Sequence, residues 1–106
     1  MLKNKVSIYV PSTYRDQPAP ENVVKYYVNN TLKELSKMYG GATATAAIGS
    51  YYSKDLDKLI TEPVTICYSY CDSYDLEKLR AICEELKTVF IQESISLETP
   101  AGLEFI

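Results

Sequence analysis

From Lys5 to Val10 the chain alternates, with Val6, Ile8 and Val10 on one side and Ser7 and Tyr9 on the other. This period of two marks a half-buried strand. "PSTYRDQPAP" follows, with three prolines in ten residues, and predicts an irregular loop. Pro20 before Glu21 suits the first turn of a helix. The period then lengthens: Val24, Tyr27, Val28, Leu32, Leu35 and Tyr39 recur every three or four residues, while Lys25, Asn29, Asn30, Lys33, Glu34 and Lys37 occupy the other side. This is the apolar stripe of a helix that covers a core. Gly40 and Gly41 end it, because glycine enters the left-handed conformation of a helix stop at little steric cost.

Alternation returns in "MYGGATATAAIGSYYS", where Ala and Thr interchange from Ala42 onward and no charge appears before Lys54. A strand over 42–53 is predicted, with its alanines packed tightly under the first helix and its Thr43 and Thr45 face left open. "KDLDK" is the turn. Leu59 to Tyr70 forms the next strand, with Ile60, Val64, Ile66 and Tyr68 in one register and Thr65, Cys67 and Ser69 in the other. Pro63 there implies a bulge or a ladder edge. A second helix starts near "CDSYDLEK", with Asp72 or Ser73 as its cap and Asp75 and Glu77 complementing its dipole. Leu76, Leu79, Ile82, Cys83, Leu86, Val89 and Phe90 form its stripe. "ESISLE" is a strand with Ile95 and Leu97 inward, and "TPAG" turns into a closing strand, "LEFI". The order β-α-β-β-α-β plus a terminal hairpin predicts an α+β two-layer sandwich, ferredoxin-like in outline, with two helices on one face of an antiparallel sheet. One domain over 1–106 is expected.

Composition narrows the function classes. The net charge of −3 provides no field for DNA or RNA, whose binding rests on neutralised phosphates. No apolar run approaches the roughly 18 residues of a bilayer span, so a cytoplasmic protein without membrane partners is expected. Histidine is absent, which removes the commonest general base and metal ligand. Cys67, Cys71 and Cys83 form no Cys-x-x-Cys pair, and they read as buried thiols with no metal or cofactor role. Asp55 and Asp57 form a carboxylate pair, but in a polar turn where solvated residues are the rule. Glu84 and Glu85 point apart on a helix. Gly40-Gly41 sits at a helix C-terminus, the wrong end of the dipole for a phosphate.

Tyrosine is the unusual feature, with ten against two phenylalanines and no tryptophan. Tyr14 and Arg15 lie in the proline-flanked loop beside Thr13, and Tyr51, Tyr52, Tyr68 and Tyr70 lie on strands. Stacking on a nucleobase is worth about 1–3 kcal/mol per base, and an arginine fork holds phosphate in defined geometry. The candidate ligand-binding set is therefore Thr13, Tyr14, Arg15, Thr43, Thr45, Tyr51, Tyr52, Tyr68 and Tyr70. Exposed tyrosines equally build subunit interfaces, and a site at an interface satisfies both uses. Arg80, inside the second helix, is expected in solvent or paired with Glu77 or Glu84.

The layout "KVSIYVPSTY", "MYGGATATAAIGSYYS", "LITEPVTICYSYCD" and "QESISLE" resembles the small phage proteins of the first anti-Thoeris family. That resemblance implies a non-catalytic sponge. Such a protein sequesters cyclic ADP-ribose isomers, and in some members cyclic oligonucleotides, as a homo-oligomer with pockets between subunits in the bacterial cytoplasm. The alternatives are a small enzyme that degrades such signals, with Asp55 or Asp57 in its chemistry, and a tyrosine-rich protein-interaction module.

Overall fold

The computed structural model describes residues 1–106. Seven strands and two helices follow in the order β1 (Asn4–Pro11), β2 (Thr13–Tyr14), β3 (Gln17–Pro18), α1 (Glu21–Tyr39), β4 (Thr43–Ser53), β5 (Lys58–Cys71), α2 (Leu76–Val89), β6 (Ser96–Thr99) and β7 (Gly102–Phe105). Five strands form one antiparallel sheet in the order β4-β5-β1-β6-β7, and β2-β3 is a separate two-stranded ribbon. This is the α+β fold that the alternation of periods predicts.

Register explains the core. Val6, Ile8 and Val10 pair with Ser69, Cys67 and Thr65, so these residues share the sheet face that the helices cover. All three apolar β1 residues are fully buried there, with Cys67, Leu35, Leu79, Cys83, Phe90 and Leu97. Each large apolar side chain so placed contributes about 1.5–3 kcal/mol against exposure. The opposite face is open and carries Thr43, Thr45, Ala47, Gly49 and Tyr51 from β4, and Glu62, Val64, Ile66, Tyr68 and Tyr70 from β5. Neither helix is long and apolar enough to cross a membrane.

Four details differ from the sequence expectation. The alanines of β4 are not packed under α1: Ala44 and Ala46 are exposed, because α1 lies over β5 and β1 and leaves the edge strand bare on both faces. Ser7, in the outward register between Tyr68 and Glu98, is fully buried, and its hydroxyl has no partner. The cap of α2 is Asp75, whose carboxylate accepts from the Lys78 N–H at 3.2 Å; Asp72 and Ser73 lie before it. Arg80 pairs with neither Glu77 nor Glu84 but reaches Glu104 on β7, Nη2 to Oε1 at 2.7 Å.

Pro63 makes no bulge. It pairs with Ile48, and its carbonyl accepts from the Ser12 hydroxyl at 2.6 Å on the side where β1 has ended. The missing N–H therefore falls at a ladder edge. Beyond this point β4 and β5 continue as a two-stranded arm, which exposes Ile48, Tyr51, Tyr52, Leu56 and Leu59.

Candidate functional site

The site is built where the β2-β3 ribbon meets the base of this arm. On β5 the open-face register runs Ile60, Glu62, Val64, Ile66, Tyr68, and a single carboxylate interrupts it. Glu62 is half-buried and stands opposite Gly49. A methyl group added at Gly49 would rest in ordinary van der Waals contact with Val64 Cγ1 at 3.7 Å, so the glycine keeps the strand surface low beside the carboxylate without leaving a cavity. Tyr51 and Ile60 flank it toward the tip, and Ala47 and Val64 toward the body. A carboxylate on an apolar floor, with small residues beside it and an exposed tyrosine ring within reach, suits a small cation that carries an aromatic group.

The ribbon is fixed to this point by its backbone. The Arg15 N–H donates to the Phe90 carbonyl at 3.0 Å, and the Ala19 N–H to the Ser12 carbonyl at 2.9 Å. The Gln92 side-chain amide donates to the Thr13 carbonyl at 2.9 Å, to Thr13 Oγ1 at 3.3 Å and to the Phe90 carbonyl at 3.2 Å. The Thr13 hydroxyl in turn faces Glu62 Oε2 at 3.4 Å. Below, the Phe90 ring packs against Tyr14 and Tyr27, with centroids 6.0 and 5.7 Å apart. Two of the three non-glycine residues with positive φ belong to this junction, Arg15 at 56° and Ile91 at 53°. Such conformations cost a β-branched residue about 1–2 kcal/mol and gather where the surrounding structure over-determines them.

The nine residues read from the sequence fall into three places. Thr13, Tyr14 and Arg15 lie together on or beside the ribbon, with Arg15 exposed and Tyr14 half-buried on Phe90. Thr43, Tyr68 and Tyr70 form a second group on the open face, with Thr45 next along β4. The Tyr68 and Tyr70 rings meet edge to face at 6.2 Å, and the Lys5 ammonium sits 4.4 Å from the Tyr68 ring centre. Tyr51 and Tyr52 occupy opposite faces of the arm, and the Tyr52 hydroxyl donates to the Asp57 carboxylate within the turn. The structure therefore brings Tyr51 and Thr13 to Glu62, whereas Tyr68 lies six residues away, about 20 Å along the strand.

Glu62 and Gln92 are absent from the sequence-derived set. Glu62 had a signal, as the one charge in an otherwise apolar and aromatic register. Gln92, in a connector after a helix, had none. The Asp55 and Asp57 alternative fares poorly: both are exposed at the tip, and Asp57 is a left-handed turn residue bound by Tyr52. The cysteines are free and buried. Burial pushes the Cys67 thiol up to about 11, and burial with help from Glu84 and Glu104 pushes Cys83 up to about 12, so neither supplies a thiolate nucleophile near neutral pH.

No family model and no curated protein matches the chain. Two solved structures do share its fold. A phage SAM lyase in complex with S-methyl-5'-thioadenosine superposes with a TM-score of 0.70 at 21% identity, over 97% of this chain and 88% of the other. A phage SAM lyase in its apo state gives 0.65 at 20%, over 97% and 87%. This likeness corrects the expectation of a non-catalytic, cyclic-ADP-ribose-binding anti-Thoeris sponge: the solved proteins that share the fold over nearly the whole chain are SAM lyases, and the ligand held by one of them is S-methyl-5'-thioadenosine.

Proposed function

We propose that this chain is an enzyme that cleaves S-adenosylmethionine (SAM) at the bond between its sulfonium and the γ-carbon of its amino-acid chain, releasing S-methyl-5'-thioadenosine. The observation that carries this reading is the half-buried carboxylate of Glu62, the single charge in its β5 register and opposite Gly49, in a fold shared with a lyase that holds that thioadenosine.

The chemistry suits a chain without histidine. When the γ-carbon to sulfur bond breaks, its electron pair stays on sulfur, and the sulfonium leaves as a neutral thioether. The substrate's own carboxylate oxygen closes on the γ-carbon and forms a lactone. No proton is transferred, so the protein's task is to fold the amino-acid chain back on itself and hold it. Glu62 grips the α-ammonium, which keeps the substrate carboxylate free to turn inward. Tyr51, exposed on the same face, stacks on the adenine. Because the ammonium keeps its charge throughout, Glu62 acts by orientation rather than by stabilising new charge.

We read the working form as a homo-oligomer. The bare edge of β4 and the exposed apolar arm present unpaired backbone and uncovered side chains of the kind that association between copies buries. Native mass spectrometry showing only monomer at micromolar concentration would oppose this part alone.

The test of the function is Glu62→Gln beside the unchanged chain, with thioadenosine release followed by chromatography. The expected loss in kcat/KM is about 100-fold, the scale set by misplacing a reacting group. Equal rates in the two proteins remove Glu62 from the site.

A further inference from the structure

We infer that Gln92 and Thr13 are positioning residues, forming a hydrogen-bonded relay that fixes the rotamer of Glu62. This rests on the proposed role of Glu62 and adds to it the device that holds that side chain. The relay runs in one direction. The Gln92 amide has two N–H groups and faces three acceptors, the Phe90 carbonyl and both oxygens of Thr13. With the Thr13 oxygen already accepting from Gln92, the hydroxyl's single proton is left for Glu62 Oε2 at 3.4 Å. That separation is long for a hydroxyl donor, as hydrogen bonds at such sites often are before ligand is bound.

The relay is anchored by the end of α2. The Gln92 N–H donates to the Lys87 carbonyl at 3.0 Å and the Ile91 N–H to Thr88 at 3.4 Å, the paired pattern of a Schellman stop. The left-handed position in that motif is Ile91, not glycine, and half of its surface is exposed. Burial of its side chain therefore does not account for the strain, whereas the backbone it creates sets Gln92 at Thr13.

The experiment compares Thr13→Val, which keeps the shape and deletes the hydroxyl, with Thr13→Ser, which keeps the hydroxyl, and with Gln92→Ala. Two readouts are taken: steady-state SAM cleavage, and 13C relaxation at the Glu62 γ-methylene, which reports rotamer freedom whether or not substrate turns over. For Thr13→Val and Gln92→Ala, kcat is expected to fall about tenfold, the scale of one hydrogen bond to a charged group. KM should stay within about threefold, and the Glu62 methylene should become mobile. Thr13→Ser restores both. An equally ordered Glu62 in Thr13→Val, or an unchanged kcat in a chain that does cleave SAM, overturns the relay. A chain that never cleaves SAM but shows the mobility change refutes the proposed function and leaves the relay standing. If Gln92→Ala fails to fold, the Thr13 pair decides.

Discussion

The two helices of this protein end differently. At the end of α1, Gly40 takes φ of 87° and its N–H returns to the Ser36 carbonyl at 2.8 Å; nothing lies within 4 Å of where a methyl group would sit. At the end of α2 the same left-handed turn is made by Ile91 at 53°, and its neighbours Phe90 and Gln92 hold the ribbon that carries Thr13. A helix end that only has to stop uses the residue that stops most cheaply. One that also aims the Gln92 amide at Thr13 tolerates strain, and glycine there would relieve the strain at the expense of a looser connector.

This contrast can be broken by substitution. The largest expected effect is at Phe90, fully buried between Tyr14 and Tyr27: Phe90→Ala should cost about 3–5 kcal/mol in urea denaturation, and a loss below about 1 kcal/mol would mean that the α2 end is not anchored as described. Next, Gly40→Ala should cost about 1–2 kcal/mol for backbone conformation alone, because the space is open. The smallest effect has the opposite sign. Ile91→Gly should stabilise by up to about 1 kcal/mol, strain relief outweighing the added freedom of the unfolded chain, while the rate of SAM cleavage falls. A destabilised Ile91→Gly would show that the turn is not strained.

Much of the architecture was legible in the sequence because it depends on periodicity. The alternation from Lys5 to Val10, the stripe from Val24 to Tyr39 and the stop at Gly40 each describe local physics that the tertiary structure keeps. The alanines of β4 misled because alternation identifies a strand's two faces without saying whether a helix reaches them. The cap of α2 was placed too early because Asp72, Ser73 and Asp75 are all residue types that cap helices, and only the folded backbone selects Asp75. Of the residues brought together here, Thr13 and Tyr51 were named from residue type, and Glu62 was passed over although it is the one charge in an apolar and aromatic register. Gln92 was not visible at all, since Thr13, which its amide holds, is 79 residues away in the chain. The sponge expectation came from layout, which an enzyme and a binding protein on one fold can share.

The most direct measurement is to incubate the purified chain with SAM and quantify what remains after heat denaturation. S-methyl-5'-thioadenosine is expected to appear mole for mole as SAM disappears, over many turnovers per protein molecule. Recovery of SAM intact, bound or free, with no thioadenosine formed, would contradict the proposed cleavage.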